Sequence, residues 1–375
     1  MKEAFTRAPR HQVRAGSLVI GAPAPVSVQS MCKTDTRDVA ATVAQVAALE
    51  AAGCQLVRVA VPDLAAAQVL GEIKRQIAIP LVADIHFDYR LALEAIRQGV
   101  DKLRLNPGNL RHPEHLRAVV EAAAEAGIPI RVGANTGSLP PDLLAQVRGR
   151  LHEPETAART LVQSALRHVE ILEGLGFQEI VISLKAFDVP AAVLAYRLMH
   201  QERDYPLHLG ITEAGPPPWG SVRSAVGIGA LLAQGIGDTI RVSLTADPRE
   251  EVLVAREILQ SLELQAAGLT FVSCPTCGRC RLNLRDLAVT ARERLQPLDD
   301  RLRRAGATLR VAVMGCEVNG PGEAKEADLG VAGGAAGGVL FSRGKLLRRV
   351  PFAELLPALL AEAEQLALER IAGRK

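Results

Sequence analysis

Along the first two-thirds of the chain, short β-branched runs alternate with alanine- and leucine-rich stretches whose apolar residues recur at helical spacing. The runs are Val26–Ser30, Leu56–Val61, Leu81–His86, Lys102–Pro107, Pro129–Asn135, Ile180–Ala186, Leu207–Ala214 and Thr239–Leu244. The helical stretches start near Asp38, Asp63, Asp88, Pro113, Pro154, Asp188, Ser221 and Asp247. Aspartate and serine accept hydrogen bonds from the free N–H groups of a first helical turn, and proline has no N–H to leave unsatisfied there. Strands that alternate with helices pair in parallel through right-handed crossovers. Eight such units in about 250 residues predict an α/β fold that opens with a (β/α)8 TIM-type barrel. An open doubly wound sheet is the competing arrangement, but eight evenly spaced units close naturally.

Beyond Leu264 the rhythm breaks. Leu269–Ser273 reads as a strand, Leu284–Leu298 as a helix, Leu309–Met314 as a strand, and Phe352–Gly373 as a closing helix. Between the last two, Gly330–Arg349 alternates glycine-rich turns with short strands. The expected organisation is a barrel over 1–264 and a smaller α+β domain over 265–375. No Pro/Ser-rich linker separates them, so the hinge is expected to be short, near Gln260–Gly268.

Composition narrows the class. The chain has 375 residues, 48% of them hydrophobic, and a formal net charge of +3, too small to suggest nucleic acid or an acidic membrane as partner. Met1–Arg14 is polar and basic rather than leader-like, and no apolar run reaches the roughly 20 residues that span a bilayer. A cytoplasmic location is expected. Four of the six cysteines (Cys274, Cys277, Cys280, Cys316) lie in a short C-terminal stretch, which in a chain of this size suggests metal before disulfides.

Active sites of such barrels sit at the C-terminal ends of the strands. Arg58, Arg104, Arg131 and Arg241 each occupy an aliphatic–Arg–aliphatic strand pattern, and Lys185 has a similar place in Ile-Ser-Leu-Lys-Ala. A cation in a buried strand is costly unless it is paired or faces a bound anion. Converging on one barrel mouth, these predict a di-anionic or pyrophosphate ligand held by arginine forks. Internal ion pairs with Asp84, Glu213 and neighbouring carboxylates are the alternative. Asp84, His86, Asn106, Asn135, His208 and Glu213 lie among the cations and are candidates to orient a polyol, with Glu213 or His86 moving a proton. Ser243, two residues after Arg241, adds a hydroxyl on the same face. The glycines of Gly227–Gly237 lack Walker or Rossmann spacing and read as helix packing and a turn.

Cys274-Pro-Thr-Cys277 is a C-x-x-C hairpin, and Cys316 follows 39 residues after Cys277. Zinc ribbons, thioredoxin-like motifs and iron–sulfur clusters all use this hairpin. Zinc needs two further ligands, which Cys280 and Cys316 supply. A cluster also needs four and prefers thiolates, its fourth being Cys280 or an oxygen such as Glu323. Spacing leaves both open. Cys54 reads as a small buried hydrophobe, and Cys32 as a bystander near the barrel mouth.

Ser-Cys-Pro-Thr-Cys followed by Gly-Cys-Glu-Val-Asn-Gly-Pro-Gly-Glu-Ala resembles the 4-hydroxy-3-methylbut-2-enyl diphosphate synthase family of the bacterial non-mevalonate isoprenoid pathway. The resemblance runs from about Val13 to the C-terminus. It includes Val-Gln-Ser-Met, Leu-Val-Ala-Asp-Ile-His-Phe-Asp-Tyr-Arg, Arg-Leu-Asn-Pro-Gly-Asn, Leu-His-Leu-Gly-Ile-Thr-Glu-Ala-Gly and Gly-Ile-Gly-Asp-Thr-Ile-Arg-Val-Ser-Leu. It implies a [4Fe–4S] cluster held by Cys274, Cys277, Cys316 and Glu323, a hard carboxylate ligand that can leave its iron for a substrate oxygen. It further implies reductive opening of 2-C-methyl-D-erythritol 2,4-cyclodiphosphate with loss of water. The electrons come singly from reduced flavodoxin or ferredoxin. On this reading Arg58, Arg104, Arg131, Lys185, Arg241 and Ser243 clamp the diphosphate, and Glu213 is the candidate proton donor. The family also implies a homodimer whose active site is shared between subunits. Cys280, Cys32 and the Pro216–Trp219 loop depart from the family's pattern. Two other classes compete: a pterin-type barrel enzyme with a structural zinc, and a non-enzymatic iron–sulfur redox sensor. A sensor has no need of the barrel cations, and no basic DNA-reading helix is present.

Overall fold

The computed structural model describes residues 5–106, 110, 112–265, 268–280, 282–317, 322, 324–334 and 337–373. The chain divides into two compact units, Met1–Gln265 and Ala266–Lys375.

The first unit opens with a hairpin, β1 (Val13–Ala15) and β2 (Leu18–Ile20), absent from the sequence-based expectation. Then follow β3 (Ser27–Met31), α1 (Val39–Ala51), β4 (Leu56–Val61), α2 (Leu64–Gln68), α3 (Leu70–Gln76), β5 (Leu81–Ile85), α4 (Tyr89–Arg97), β6 (Lys102–Arg104) and α5 (Pro113–Glu125). The remainder is β7 (Ile130–Asn135), α6 (Pro141–Val147), α7 (Pro154–Gly174), β8 (Ile180–Lys185), α8 (Val189–Glu202), β9 (His208–Leu209), α9 (Trp219–Leu232), β10 (Thr239–Ile240) and α10 (Pro248–Ser261). Asp38, Asp63, Asp88, Asp188 and Asp247 each accept a hydrogen bond from an N–H of the first turn, as the sequence predicted. Helix α9 instead begins two residues before Ser221, at Trp219, with no side-chain cap.

The strands pair in parallel in the order β8-β7-β6-β5-β4-β3-β10-β9. A further parallel bridge, Ile182 to Leu207, joins the two edges and closes the ring, which decides for a barrel over an open sheet. Strands β9 and β10 keep only two residues each in the ladder, fewer than their sequence runs, because the chain then leaves the ring to form the loops of the mouth. The outward faces pack with the helices in one apolar core that includes Val28, Val59, Leu103, Ile182 and Leu209. At the N-terminal end, Val13, Ala15 and Ile20 of the hairpin pack on Leu56, Val82 and Val181 and seal the floor.

The second unit runs β11 (Gly268–Ser273), α11 (Leu284–Arg304), β12 (Thr308–Met314), β13 (Leu329–Gly333), β14 (Gly338–Ser342), β15 (Lys345–Val350) and α12 (Leu355–Ala372). Its sheet has the order β11-β12-β13-β14-β15, parallel across the first three strands and antiparallel across the last three. Leu295 and Leu302 of α11 and Leu359 of α12 cover one face with Leu309, Val311 and Leu340. No helix among the described residues is long and apolar enough to cross a membrane.

Candidate functional site

Side chains of a strand alternate, so residues two apart share a face. Arg58 on β4, Asp84 on β5, Arg104 on β6, Arg131 on β7 and Lys185 on β8 all point into the barrel. With His86, Asn135, Arg241 and Ser243 they line a cavity of about 200 Å³ at the C-terminal ends of the strands. That is smaller than the ~300–1,000 Å³ of drug-sized sites and suits a small polar ligand. Ser183 and Thr212 also line it. Sequence reasoning passed over both, although Ser183 stands one β-period before Lys185. Two glycines make the geometry possible. A Cβ on Gly133 would lie 1.9 Å from the Ser183 carbonyl oxygen, and one on Gly210 would lie 3.0 Å from Lys185 Nζ.

Five cations, Arg58, Arg104, Arg131, Lys185 and Arg241, line this cavity. Asp84 lies 3.7 Å from Arg58 Nε and 3.2 Å from Arg104 Nη1. Glu251 lies 3.6 Å from Arg241 and 3.3 Å from Lys33. The internal ion pairs weighed from the sequence therefore exist for three of the arginines. Arg131 donates instead to the neutral Ser183 hydroxyl at 2.9 Å, and Lys185 faces no carboxylate among the described contacts. Arg58 also donates to the Met31 sulfur at 2.9 Å.

The charge imbalance shows in the protonation equilibria. Burial, only partly offset by Asp84 and worsened by Arg241 and Arg104, brings Arg58 down to about 10. Burial and the four neighbouring guanidiniums hold Lys185 well below the usual lysine range. Burial, Arg58 and Arg104 depress Arg131 likewise. Burial alone would raise the Asp84 carboxyl, but Arg58, His86 and Arg104 together hold it below the carboxylate range. Arg104 Nη1 stands 2.8 Å from His86 Nε2. The same Nε2 lies 3.5 Å from Asp84 Oδ1, so the ring sits between a guanidinium and a carboxylate.

Other predicted residues lie elsewhere. His208 is fully buried below the cavity rather than on its wall. Asn106 follows β6 and is not among the lining residues. Glu213 has a left-handed backbone (φ 54°) in the turn after Thr212, and its side chain is exposed outside the cavity. Cys32 is buried, with its thiol pushed up to about 12 by burial and by Cys54, as suits a bystander.

In the second unit, Cys274 directly follows β11 and Cys316 follows β12 by two residues. The two strands are parallel neighbours with Ser273 opposite Val313, so both cysteines emerge at the same edge of the sheet. The Gly315 N–H donates to Cys274 Sγ at 3.2 Å. Cys277 is exposed and follows Cys274 on the same loop. Cys280 lies beside them, its Sγ 2.9 Å from where a Cβ on Gly315 would stand; its thiol donates to the Leu282 carbonyl at 3.1 Å, and it packs against the unit's apolar core. Glu323 lies outside the described residues. Among the described residues no three such groups converge on a single ion. The donor set is thiol-rich and held on one loop edge, which fits an iron–sulfur cluster.

The family model described as the GcpE TIM-barrel domain matches residues 10–256, and that described as the GcpE protein C-terminal domain matches residues 270–365. Relatives match along almost the whole chain. A protein of Geobacter sulfurreducens named 4-hydroxy-3-methylbut-2-en-1-yl diphosphate synthase (flavodoxin) is 54% identical over 97% of this chain and 99% of its own length. Its namesake from Thermodesulfovibrio yellowstonii is 53% identical over 94% of this chain and 97% of its own. The namesake from Geobacillus thermodenitrificans is 50% identical over 100% of this chain and 97% of its own.

Proposed function

The chain belongs to the GcpE family, and from that premise we propose that it is an oxidoreductase of the non-mevalonate isoprenoid pathway. It opens 2-C-methyl-D-erythritol 2,4-cyclodiphosphate reductively, with loss of water, to (E)-4-hydroxy-3-methylbut-2-enyl diphosphate. The observation that carries this reading is the cation surplus of the cavity. Among the described residues Arg131 and Lys185 make no ion pair with a carboxylate, and Asp84 pairs with two other arginines, so the wall carries more positive than negative charge. A diphosphate supplies that charge and the paired oxygens that guanidinium forks bind.

Arg58, Arg104, Arg131, Lys185, Arg241 and Ser243 hold the phosphates, while Asn135, Ser183 and Thr212 offer neutral hydrogen bonds to the carbon chain's oxygens. Asn106 and His208 bind from the edge and from beneath. His86 Nε2, 2.8 Å from Arg104 Nη1 and 3.5 Å from Asp84, takes and returns a proton at that atom. Glu213, on the rim beside Thr212, is the proposed proton donor to the substrate's outer side.

The proposed cofactor is a [4Fe–4S] cluster on Cys274, Cys277, Cys316 and Glu323; when bound it supplies the two electrons one at a time. Flavodoxin, which names the relatives, is the proposed donor, with ferredoxin as its substitute. A cytoplasmic homodimer with a shared site completes the reading.

The test is to purify the protein without oxygen, record its absorbance, and incubate it with the cyclodiphosphate and a strong chemical reductant. The linear allylic diphosphate is the expected product. A brown, cluster-loaded protein that yields none discards the substrate. A colourless, zinc-loaded protein restores the structural-zinc alternative.

A further inference from the structure

Beneath the cavity lies a second polar tier that the reaction above leaves almost unused. Lys102 precedes Arg104 by two residues on β6, so it points into the same interior one level lower. It is 0% exposed, and its Nζ has no hydrogen-bond partner. His208, four residues before the cavity-lining Thr212, is equally buried, with both ring nitrogens unpartnered. Gln29 on β3 is 1% exposed, and neither of its amide atoms has a partner. Ser27, Thr239 and His208 are side-by-side neighbours in the ladder, and both hydroxyls are unpartnered too.

Charged groups face Lys102 from almost every strand. Arg58 stands on β4, Arg131 on β7 and His208 on β9; Lys185 on β8 and Arg241 just after β10 stand higher. From β3 comes only the neutral Gln29, and the floor below is Val13, Ala15 and Ile20. The interior carboxylate, Asp84 on β5, is engaged by Arg58, Arg104 and His86. Asp101, next in sequence, holds Lys74 and the Leu81 N–H instead. Among the described residues an ammonium at Lys102 thus has no counter-ion, makes no hydrogen bond, and has two guanidiniums for neighbours. Burial first, then Arg131 and Arg58, disfavour its charged form.

We propose that Lys102 is a positioning residue in an adjustable floor to the anion site: its amine takes up one proton from solvent when a diphosphate enters the cavity. The ammonium so formed faces the ligand's charge from below. The proposal rests on the diphosphate reading of the cavity. The free protein avoids an uncompensated buried charge, and the liganded one gains a cation only when an anion is present to match it. Opening the ring with two electrons and one proton releases water and leaves three phosphate charges where there were two. The added ammonium therefore remains matched through to product.

The test is calorimetric titration of the full-length, cluster-loaded chain with the cyclodiphosphate, without oxygen, in buffers of different ionisation enthalpy. Wild type is expected to take up about one proton more per site than Lys102→Met, and its Kd to rise up to about tenfold per pH unit where that uptake occurs. Lys102→Met replaces a buried, unpartnered amine with a side chain of similar length and is expected to fold and to bind with a flatter pH profile. His208→Gln is expected to keep the wild-type uptake. Binding to wild type without proton uptake overturns the proposal whatever the variants do, as does equal uptake by wild type and Lys102→Met. Failure to bind either the cyclodiphosphate or inorganic pyrophosphate overturns the diphosphate reading itself, and this inference with it.

Discussion

The barrel cavity takes its side chains from strand positions, whereas the cysteines stand on segments that follow strands. Arg58, Arg104, Arg131 and Lys185 are fixed by the register of neighbouring parallel strands, and glycines at 133 and 210 leave room for what they touch. Their geometry exists before any ligand arrives, at the cost of unbalanced charge. Cys274 and Cys316 follow β11 and β12 at the same edge of the sheet, Cys277 lies on the loop after Cys274, and the Gly315 N–H bonds Cys274 Sγ. Preorganisation suits a site that must hold an exchanging anion in one pose. A site for a resident cofactor can leave part of its assembly to the cofactor, because binding free energy is then also folding free energy.

The largest effect should come from Cys316→Ala. Losing one of three thiolates should abolish cluster binding and lower turnover at least about a thousandfold, since no route for electrons remains. If the two regions are independent, calorimetry should show diphosphate affinity within about twofold of wild type. A parallel loss of anion binding would break the contrast and make the cavity depend on the loaded second unit.

Gly210→Ala probes the other side with a smaller change. The new Cβ would stand 2.7 Å from the Arg241 carbonyl oxygen and 3.0 Å from Lys185 Nζ. The backbone oxygen cannot yield, so a strand must shift and Lys185 with it. Overpacking of this kind costs about 1–3 kcal/mol of stability. Diphosphate affinity should fall about tenfold, the loss expected when one charge-assisted contact is misplaced. Cluster absorbance should stay unchanged. Unaltered affinity would show that the cavity tolerates movement and is less preorganised than its register suggests.

What could be read from the sequence follows the same division. The β-branched runs betray every barrel unit and aspartate caps mark five of the helix starts, because strand alternation and N-caps are local properties. The cavity cations were legible because charge inside an aliphatic strand pattern is conspicuous. Lys102 was not: it opens the run Lys102–Pro107, and only closure of the ring shows that the interior continues below Arg104. The hairpin Val13–Ile20 escaped for a similar reason, since its role as floor depends on Leu56, Val82 and Val181, far away in sequence. Glu213 was grouped with the site by its neighbours Thr212 and Ala214, yet a left-handed backbone at that one residue sets it outside the cavity.

Cys280 sharpens the comparison with the smallest effect. Counted by sequence it is a possible fourth thiolate, and four thiolates would make the second site a closed, self-sufficient cage. Its geometry argues otherwise. The Cys280 N–H bonds the Cys277 carbonyl oxygen at 2.9 Å, which folds the loop back, and the thiol then donates to Leu282 while its body packs on the apolar core. A thiol held this way serves the loop's structure, and it would have to break that bond to bind a metal. Cys280→Ser should therefore keep iron content and turnover within about twofold of wild type. Its cost should be about 1 kcal/mol in unfolding of the second unit, from a polar hydroxyl set against apolar neighbours. Loss of the cluster in this variant would instead make Cys280 a ligand and remove Glu323 from that role. The second site would then be as closed as the first is open.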